Sequence, residues 1–353
     1  MTDLRLARPL LLAAVSWTAL VGAAAAQSTS EQDRVDDIIV TCAPFGISQS
    51  ATTIATTVVD EEALSTAPAA TLGDLLAGTP GLRSTSFAPG SRRPVIRGLT
   101  GPRVQGLTNG IGLIDASSVS PDHQVATDPA EANRIEIVRG PSTLVYGGSA
   151  IGGVVNVLDG RIPEALPEGG LDGQLTAQAS NVDDGYSLGA RFDVALGDNL
   201  VLHYDAVTKD ASDYDIPSSP ISRTLADAEG IDRDDTGSLP NSFSELGAWA
   251  IGGSYVGEAG YGGVSYKETD STYGVVAEES VFIELEQQRF DARGEVRFDA
   301  GPFRALRAAY GQADYTHTEF EDVGEVGTIF VSEGQEARVD LIQRTRGGWN
   351  GAI

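Results

Sequence analysis

Hydrophobic residues alternate with small, polar or charged residues along much of the chain after residue 171. In "RFDARGEVRFD" the charged residues occupy alternate positions, and one face is formed by Phe290, Ala292, Gly294, Val296 and Phe298. "LDGQLTAQAS" and "YSLGARFDVAL" repeat the same period of two. Successive side chains of a β-strand point to opposite faces, so the pattern predicts strands that are apolar on one side and polar on the other.

The connections between these predicted strands alternate in length. "GDN" at 197–199, "GEAG" at 257–260 and "DAGP" at 299–302 indicate tight turns, whereas the polar stretches 208–244, 268–286 and 312–335 are typical of long loops. Short turns and long loops at opposite ends are typical of an outer-membrane β-barrel, whose apolar face meets lipid and whose polar face lines the lumen. The alternative is a soluble β-sandwich or barrel with its charged face outside.

Residues 43–160 carry mixed signals that predict a small α+β domain. Strands are predicted in "TTIATTVVD", "RPVIRGL", "RVQGLTNGIGL", "RIEIVRGP" and "GGVVNVLD", and one or two helical turns in "STLVYGG". A short helix is predicted between Thr71, which can cap its first turn, and Gly78 and Pro80, which end it.

The N-terminal 42 residues divide into two segments. Residues 1–26 have two arginines, an apolar run and a small-residue "AAAAQ" end, which predicts a secretory signal peptide rather than a membrane anchor. Residues 27–42 form a polar, acidic arm that contains the β-prone island "DDIIVT" at 36–41. Such an island can add as a strand to a partner's sheet. It can equally be the first strand of the following domain.

The charge balance excludes one class of partner and favours another. The 353 residues include 50 acidic and 24 basic residues, and the net charge is −26. Such a surface repels nucleic acid, whose phosphates require Lys and Arg clusters, and attracts cations. The single cysteine, Cys42, cannot form an internal disulfide. The glycines of "YGGSAIGGVV" fit no phosphate-binding spacing and no catalytic triad has local support, so the sequence indicates a protein that is not an enzyme.

Several motifs together resemble TonB-dependent outer-membrane receptors. "DDIIVT" is similar to a TonB box, and "TLGDLLAGTPGL", "PVIRGL" and "RIEIVRGPSTLVYGGSAIGGVVNV" are similar to successive plug-domain motifs in the expected order. The resemblance covers nearly all of the chain after the signal peptide. Within the family, "DASSVSPDHQVATDP", "GGVVNVLDGRIP", "YGGVSYKETDSTYGV" and "DYTHTEFEDVGEVGTIF" are similar to the zinc-uptake branch.

The resemblance implies an architecture and a partner. The fold class is an α+β plug domain, residues 43–160, followed by antiparallel transmembrane β-barrel strands, residues 161–353. Family barrels have about 22 strands around the plug. The receptor would lie in the outer membrane of a Gram-negative cell. It would contact TonB through a box formed by Asp36, Asp37, Ile38, Ile39, Val40 and Thr41.

The resemblance also changes the interpretation of "SPDHQVATDP". Taken alone, Asp122 and His123 are a hydrated pair on a loop, but the family's geometry aims this loop at the outer vestibule. Carboxylate and imidazole are good zinc ligands. Further ligands are expected from barrel loops, with His317 and Glu325 preferred and Glu319, Glu278 and Glu279 as other candidates. Zinc is then the transported ligand rather than a prosthetic group, and His203, on a lumen-facing strand position, is structural.

Two departures from the family leave alternatives open. The stretch after residue 171 predicts only eight or nine strands, so an incomplete receptor is expected, and the outer loops are rich in Asp, Glu and Ser rather than His. The cargo could be haem or a siderophore in the same architecture, with Tyr273 and Tyr315 available to haem. A surface binding or adhesion protein without transport is the second alternative.

Overall fold

The computed structural model describes residues 39–40, 47–48, 54–67, 71–231, 233, 237–278, 280–298, 301–347, 349 and 351–353. The predicted signal peptide lies outside these residues. So do the arm from 27 to 38, Cys42 and most of the predicted TonB box. Of that box, Ile39 and Val40 are described. They form a two-residue strand, β1, that pairs antiparallel with β2, Ile47–Ser48.

The N-terminal domain is built on a five-stranded mixed sheet. Its helices and strands after β2 are, in chain order, β3 (Ala55–Val59), α1 (Glu61–Thr66), α2 (Leu72–Ala77), β4 (Leu82–Ser84), β5 (Pro94–Ile96), β6 (Val104–Thr108), β7 (Ile111–Gly112), β8 (Arg134–Arg139) and β9 (Gly153–Leu158). The sheet order is β3-β8-β9-β6-β7, and only β6 and β9 run parallel. Strands β4 and β5 form a separate pair.

The short helix predicted between Thr71 and Gly78 is confirmed. Helix α2 begins after Thr71, whose side chain accepts a hydrogen bond from the backbone N–H of Asp74, and Gly78 caps its end. The predicted turns in "STLVYGG" are present as a 3₁₀ helix over Pro141–Tyr146. Helix α2 packs against the sheet because Leu72 and Leu76 are buried with Ile135 and Ile137 of β8. The central strands are buried on both faces, which explains their nearly continuous apolar sequence.

The second part of the chain is an eight-stranded antiparallel sheet. Its elements, together with those of the loop between its third and fourth strands, are β10 (Leu171–Ala179), β11 (Tyr186–Leu196), β12 (Leu200–Ala211), β13 (Tyr214–Asp215), α3 (Arg223–Glu229), β14 (Ser238–Leu239), β15 (Ser244–Gly257), β16 (Gly260–Gly274), β17 (Phe282–Arg297), β18 (Phe303–Asp322) and β19 (Glu325–Gln343). Sheet order follows chain order, so every neighbour is joined by a hairpin connection. Within the described residues, β10 and β19 are the edges.

The predicted period of two is confirmed. The apolar side chains face outwards and the polar ones inwards, which is the reverse of a soluble protein. In β12, Leu200, Leu202 and Tyr204 are 46–48% exposed, whereas His203 and Asp205, at the alternate positions, are buried. The outer face of the sheet is therefore apolar, and its inner face is polar and covered by the N-terminal domain. Among the described residues, no helix is both long and apolar enough to cross a membrane.

Two of the three predicted long loops are wrong. Strands β16 to β19 are 15 to 20 residues long and continue through most of 268–286 and 312–335. Only residues 275–281 connect β16 to β17, and β18 turns into β19 at 323–324. At these strand ends the outward positions carry exposed acidic residues, such as Asp270, Glu284 and Glu286, so their composition resembles that of loops. The third predicted loop is present between β12 and β15, where it carries α3 and the β13–β14 pair.

A buried ionic network joins the N-terminal domain to the inner face of the sheet. Arg161, just after β9, donates to Glu131 at 2.6 Å, to Asp205 of β12 at 2.8 Å and to Asp159 at 3.4 Å. Lys267 of β16 also reaches Glu131, at 2.7 Å. Burial raises the pKa of Glu131, but Lys267 and Arg161 outweigh that effect and hold this pKa below its usual value.

Removing one charge from this network should be costly. We expect Glu131→Gln to lower the free energy of unfolding by about 3 kcal/mol at pH 7, because two buried cations lose a shared partner. The control is Glu61→Gln, which removes the more exposed partner of Arg191 and should cost less than about 1 kcal/mol. Denaturant unfolding measures both, and equal losses would contradict the assignment.

The parent protein and the Glu131→Gln variant also provide a test of pH dependence. The folded pKa of Glu131 lies below its usual value of 4.5, so its contribution is present above that pH and is lost as pH falls through the folded pKa. The stability difference between the parent and Glu131→Gln should therefore shrink below pH 4.5. A difference that grew with acid would have the wrong sign.

Candidate metal centre

The loop that carries His123 leaves β7 and returns towards β8 across the end of the N-terminal domain. Asp115 holds its two sides together, since one carboxylate oxygen accepts from the N–H and hydroxyl of Ser117 and the other accepts from the N–H of Ala126 at 3.1 Å. Burial raises the pKa of Asp115, and these hydrogen bonds oppose the shift. Asp115 therefore ties residues 117 and 126 of the loop together without any ligand.

His123 reaches the inner face of β18, where it meets His317 and Glu319. Both histidine rings are fully buried, and their centroids lie 4.1 Å apart. His123 Nε2 is 3.1 Å from Glu319 Oε1, and His317 Nε2 is 3.8 Å from the same oxygen. Each of the three residues offers one possible ligand atom, and these three atoms lie within 4.8 Å of one another. This set is referred to below as the His–His–Glu centre.

Hydrogen bonds to the far side of each ring orient both histidines. His123 Nδ1 lies 2.9 Å from the carbonyl oxygen of Ala116. That oxygen can only accept, so Nδ1 donates to it, and Nε2 is the ring nitrogen that faces Glu319. His317 Nδ1 lies 3.0 Å from the hydroxyl of Tyr315. Among the described residues, nothing is within hydrogen-bonding geometry of His317 Nε2, which is buried.

The surroundings of the His–His–Glu centre are apolar. Phe330 of β19 packs edge-on against both rings, at 4.8 Å from His123 and 5.6 Å from His317. Leu285 of β17 lies directly across from His317 in the sheet and is buried with Ala116 and Tyr315. Apolar surroundings of this kind strengthen the attraction between a cation and its ligands.

The distances are compatible with a small tetrahedral cation. Zinc binds nitrogen at about 2.0–2.1 Å, so two ligand atoms of a tetrahedral site lie about 3.3 Å apart. The observed 3.1 Å and 3.8 Å bracket that value. Two imidazoles and a carboxylate are a common zinc ligand set, and a fourth position is left for water or another donor.

The structure brings together some of the predicted metal ligands and not others. His123 and His317 converge, and Glu319, which the sequence offered only as a further candidate, completes the group. The described group does not include Asp122, whose carboxylate accepts from the Ser120 hydroxyl, nor Glu325 and Glu278, which are exposed. Glu279 lies outside the described residues. His203 contacts Asp193 at 2.7 Å and Asp205 at 3.0 Å, within the ionic network.

His317 and Glu319 were expected on a barrel loop, and that placement is wrong, because both lie within strand β18. Alternate residues of a strand share a face, so "YTHTEF" places Tyr315, His317 and Glu319 together on the inner side. That period was present in the sequence but was hidden by the polar composition of the stretch. Asp115 carried no comparable sequence signal.

Fold and site together define a class of protein: a small domain seated against the polar inner face of a barrel-type sheet with an apolar exterior. Residues 48–154 match the TonB-dependent receptor plug domain. The chain thus has the fold of that receptor family, a plug followed by a large antiparallel sheet that corresponds to part of a barrel. The proteins of this family are receptors for transport rather than enzymes.

Comparisons with individual proteins extend this assignment. A hemin receptor from Yersinia pestis is 31% identical over 166 residues, which are 46% of this chain and 24% of that protein. The ferric enterobactin receptor of Pseudomonas aeruginosa superposes with a TM-score of 0.60 at 14% identity, covering 84% of this chain and 47% of that one. The FrpB iron transporter of Neisseria meningitidis gives 0.64 at 14% identity, covering 84% and 46%. The chain therefore spans less than half the length of these relatives.

The ligand assignment can be tested with matched amides. We expect Glu319→Gln to weaken zinc binding at least tenfold, because an amide is a poorer ligand than a carboxylate. Glu325→Gln makes the same change six positions further along the hairpin and should leave the affinity unchanged. Isothermal titration of the purified protein with zinc decides between them. Equal losses, or a loss confined to Glu325→Gln, would show that the His–His–Glu centre is not the binding site.

Proposed function

We propose that this protein is a TonB-dependent outer-membrane receptor that captures zinc, or a zinc complex, and passes it into the periplasm. The plug domain and the sheet with an apolar exterior support the class of transporter. The predicted signal peptide at 1–26 supports export, and the predicted box at 36–41 supports energy coupling by TonB. The acidic chain would concentrate divalent cations near the site.

The observation that carries the cargo proposal is the convergence of His123 and His317 on Glu319 in a buried, apolar setting. Imidazole nitrogen selects transition metals, whereas calcium and magnesium prefer an all-oxygen shell. His317 Nε2 makes no hydrogen bond with a described residue, so it would gain a partner in a bound cation. The three ligands come from both the plug and the barrel wall, so a bound ion would join the two parts.

Haem is the second candidate, because the Yersinia pestis relative is a hemin receptor and its similarity covers 166 residues. Two histidines that ligate one haem approach the iron end-on from opposite faces of the macrocycle. Here the two ring centroids lie only 4.1 Å apart, with the ring planes tilted by 43°, and both rings are fully buried with Phe330 against them. The tyrosines offered for haem are also occupied, since the hydroxyls of Tyr273 and Tyr315 are hydrogen bonded inside the protein. The geometry favours the bare ion.

Parallel titrations separate the two cargoes. We expect the purified protein to bind about one zinc ion per chain at the His–His–Glu centre, and His123→Ala to weaken that binding at least tenfold. Any shift of the main absorption band of haemin on addition of the protein should be the same for the parent and for His123→Ala. The opposite pattern, a haemin band shift abolished by His123→Ala together with zinc binding that is indifferent to this residue, would replace zinc by haem.

Energy coupling is tested at the predicted TonB box. We expect prolines at Ile38 and Val40 to abolish TonB-dependent uptake of radioactive zinc by cells, because proline removes the backbone donors that strand addition requires. Zinc binding to the purified protein should be unchanged. Alanines at the same two positions keep the donors and should preserve uptake. Uptake at the parental rate in the proline variant would show that this segment does not couple the receptor to TonB.

A further inference from the structure

Tyr273 lies on the inner face of β16, next to the loop that carries His123. It is fully buried and packs with Val275 and Ile283. The plug comes close on its other side, since a Cβ added to Gly90 would lie 2.9 Å from the Tyr273 Cβ. The ring is therefore packed between the barrel wall and the plug, and this packing fixes the position of its hydroxyl group.

That hydroxyl engages the backbone on both sides of His123. It donates to the carbonyl oxygen of Asp122 at 3.0 Å and accepts from the N–H of Gln124 at 2.9 Å. Both partners are backbone groups with fixed roles, so the direction of each hydrogen bond is unambiguous. Ser271, two residues earlier on the same face of β16, reaches the side chain of Gln124 at 2.8 Å. The barrel wall thus fixes the peptide groups that flank the ligand.

We propose that Tyr273 is a positioning residue for the metal ligand His123, and this inference rests on the proposed function of the His–His–Glu centre. The Ala116 carbonyl sets which nitrogen of His123 faces the site, and the Tyr273 hydroxyl sets where the His123 backbone stands relative to β18. A metal site tolerates displacements of only about half an ångström, so a loop released from this clamp holds Nε2 less well. Loss of such supporting contacts typically weakens metal binding 10- to 100-fold.

The test is a double-mutant cycle on zinc affinity. Tyr273→Phe removes the hydroxyl and keeps the ring, and it should weaken zinc binding about tenfold or more. The same change in a His123→Ala background should have no further effect, because the residue through which Tyr273 acts is gone. In a His317→Ala background the effect should persist. Tyr261→Phe, on the same strand with its hydroxyl on Glu164, is the matched control and should leave the affinity unchanged.

A purely structural role would give a different result. If Tyr273→Phe weakens binding equally with and without His123, the tyrosine acts on the fold in general and the inference is overturned. Should Tyr273→Phe fail to fold, Ser271→Ala is a milder substitution at the same clamp and must show the same dependence on His123. The visible spectrum of bound cobalt gives an independent readout, since a displaced His123 reduces the intensity expected of a tetrahedral site.

The two proposals fail in distinguishable ways. If zinc binding is indifferent to His123, the proposed cargo site is wrong. If zinc binding requires His123 but Tyr273→Phe leaves it unchanged in the parent background, the cargo site stands and only the positioning role is lost.

Discussion

The structure depends on one constraint: polar groups on the inner face of the sheet are shut away from water and must be paired by the plug. Arg161 meets Glu131, Asp159 and Asp205 for this reason. Buried ion pairs of this kind repay little of their desolvation cost, but an unmatched member is costly. They therefore fix where the plug sits in the barrel wall more than they add to stability. The apolar exterior of the sheet places no comparable constraint on the position of the plug.

The His–His–Glu centre follows from the same arrangement. The wall supplies hydroxyl, amide and guanidinium groups that pair with the backbone of the plug loop, as Gln287 and Arg289 do with Leu113. The loop is thereby held rigidly enough to bring His123 against β18. His317 is then the member of the inner face whose ring nitrogen Nε2 makes no hydrogen bond with a described residue. In the proposed function, a transition-metal cation would supply a partner for that nitrogen.

Local patterns were sufficient to predict much of the fold. Period-two alternation located the barrel strands, and Thr71 and Gly78 located helix α2, because both signals arise from neighbours in the chain. The ends of β16 to β19 were missed because their outward positions carry exposed acidic residues, which makes them resemble loops. The pairing of Arg161 with Asp205, and of His123 with His317, depends on contacts between distant segments that no local period records. Glu325 was preferred to Glu319, although the period of two in "YTHTEF" puts Glu319 on the same face as His317.

The central claim is that one cation joins the plug to the barrel through two imidazoles and a carboxylate. X-ray absorption at the zinc edge of the zinc-loaded protein tests it most directly. The account predicts about four light ligands at 2.0–2.1 Å, with the multiple-scattering signal of two imidazoles. One imidazole should be lost in His123→Ala and one in His317→Ala. An all-oxygen shell, or a histidine signal that neither substitution changes, would contradict it.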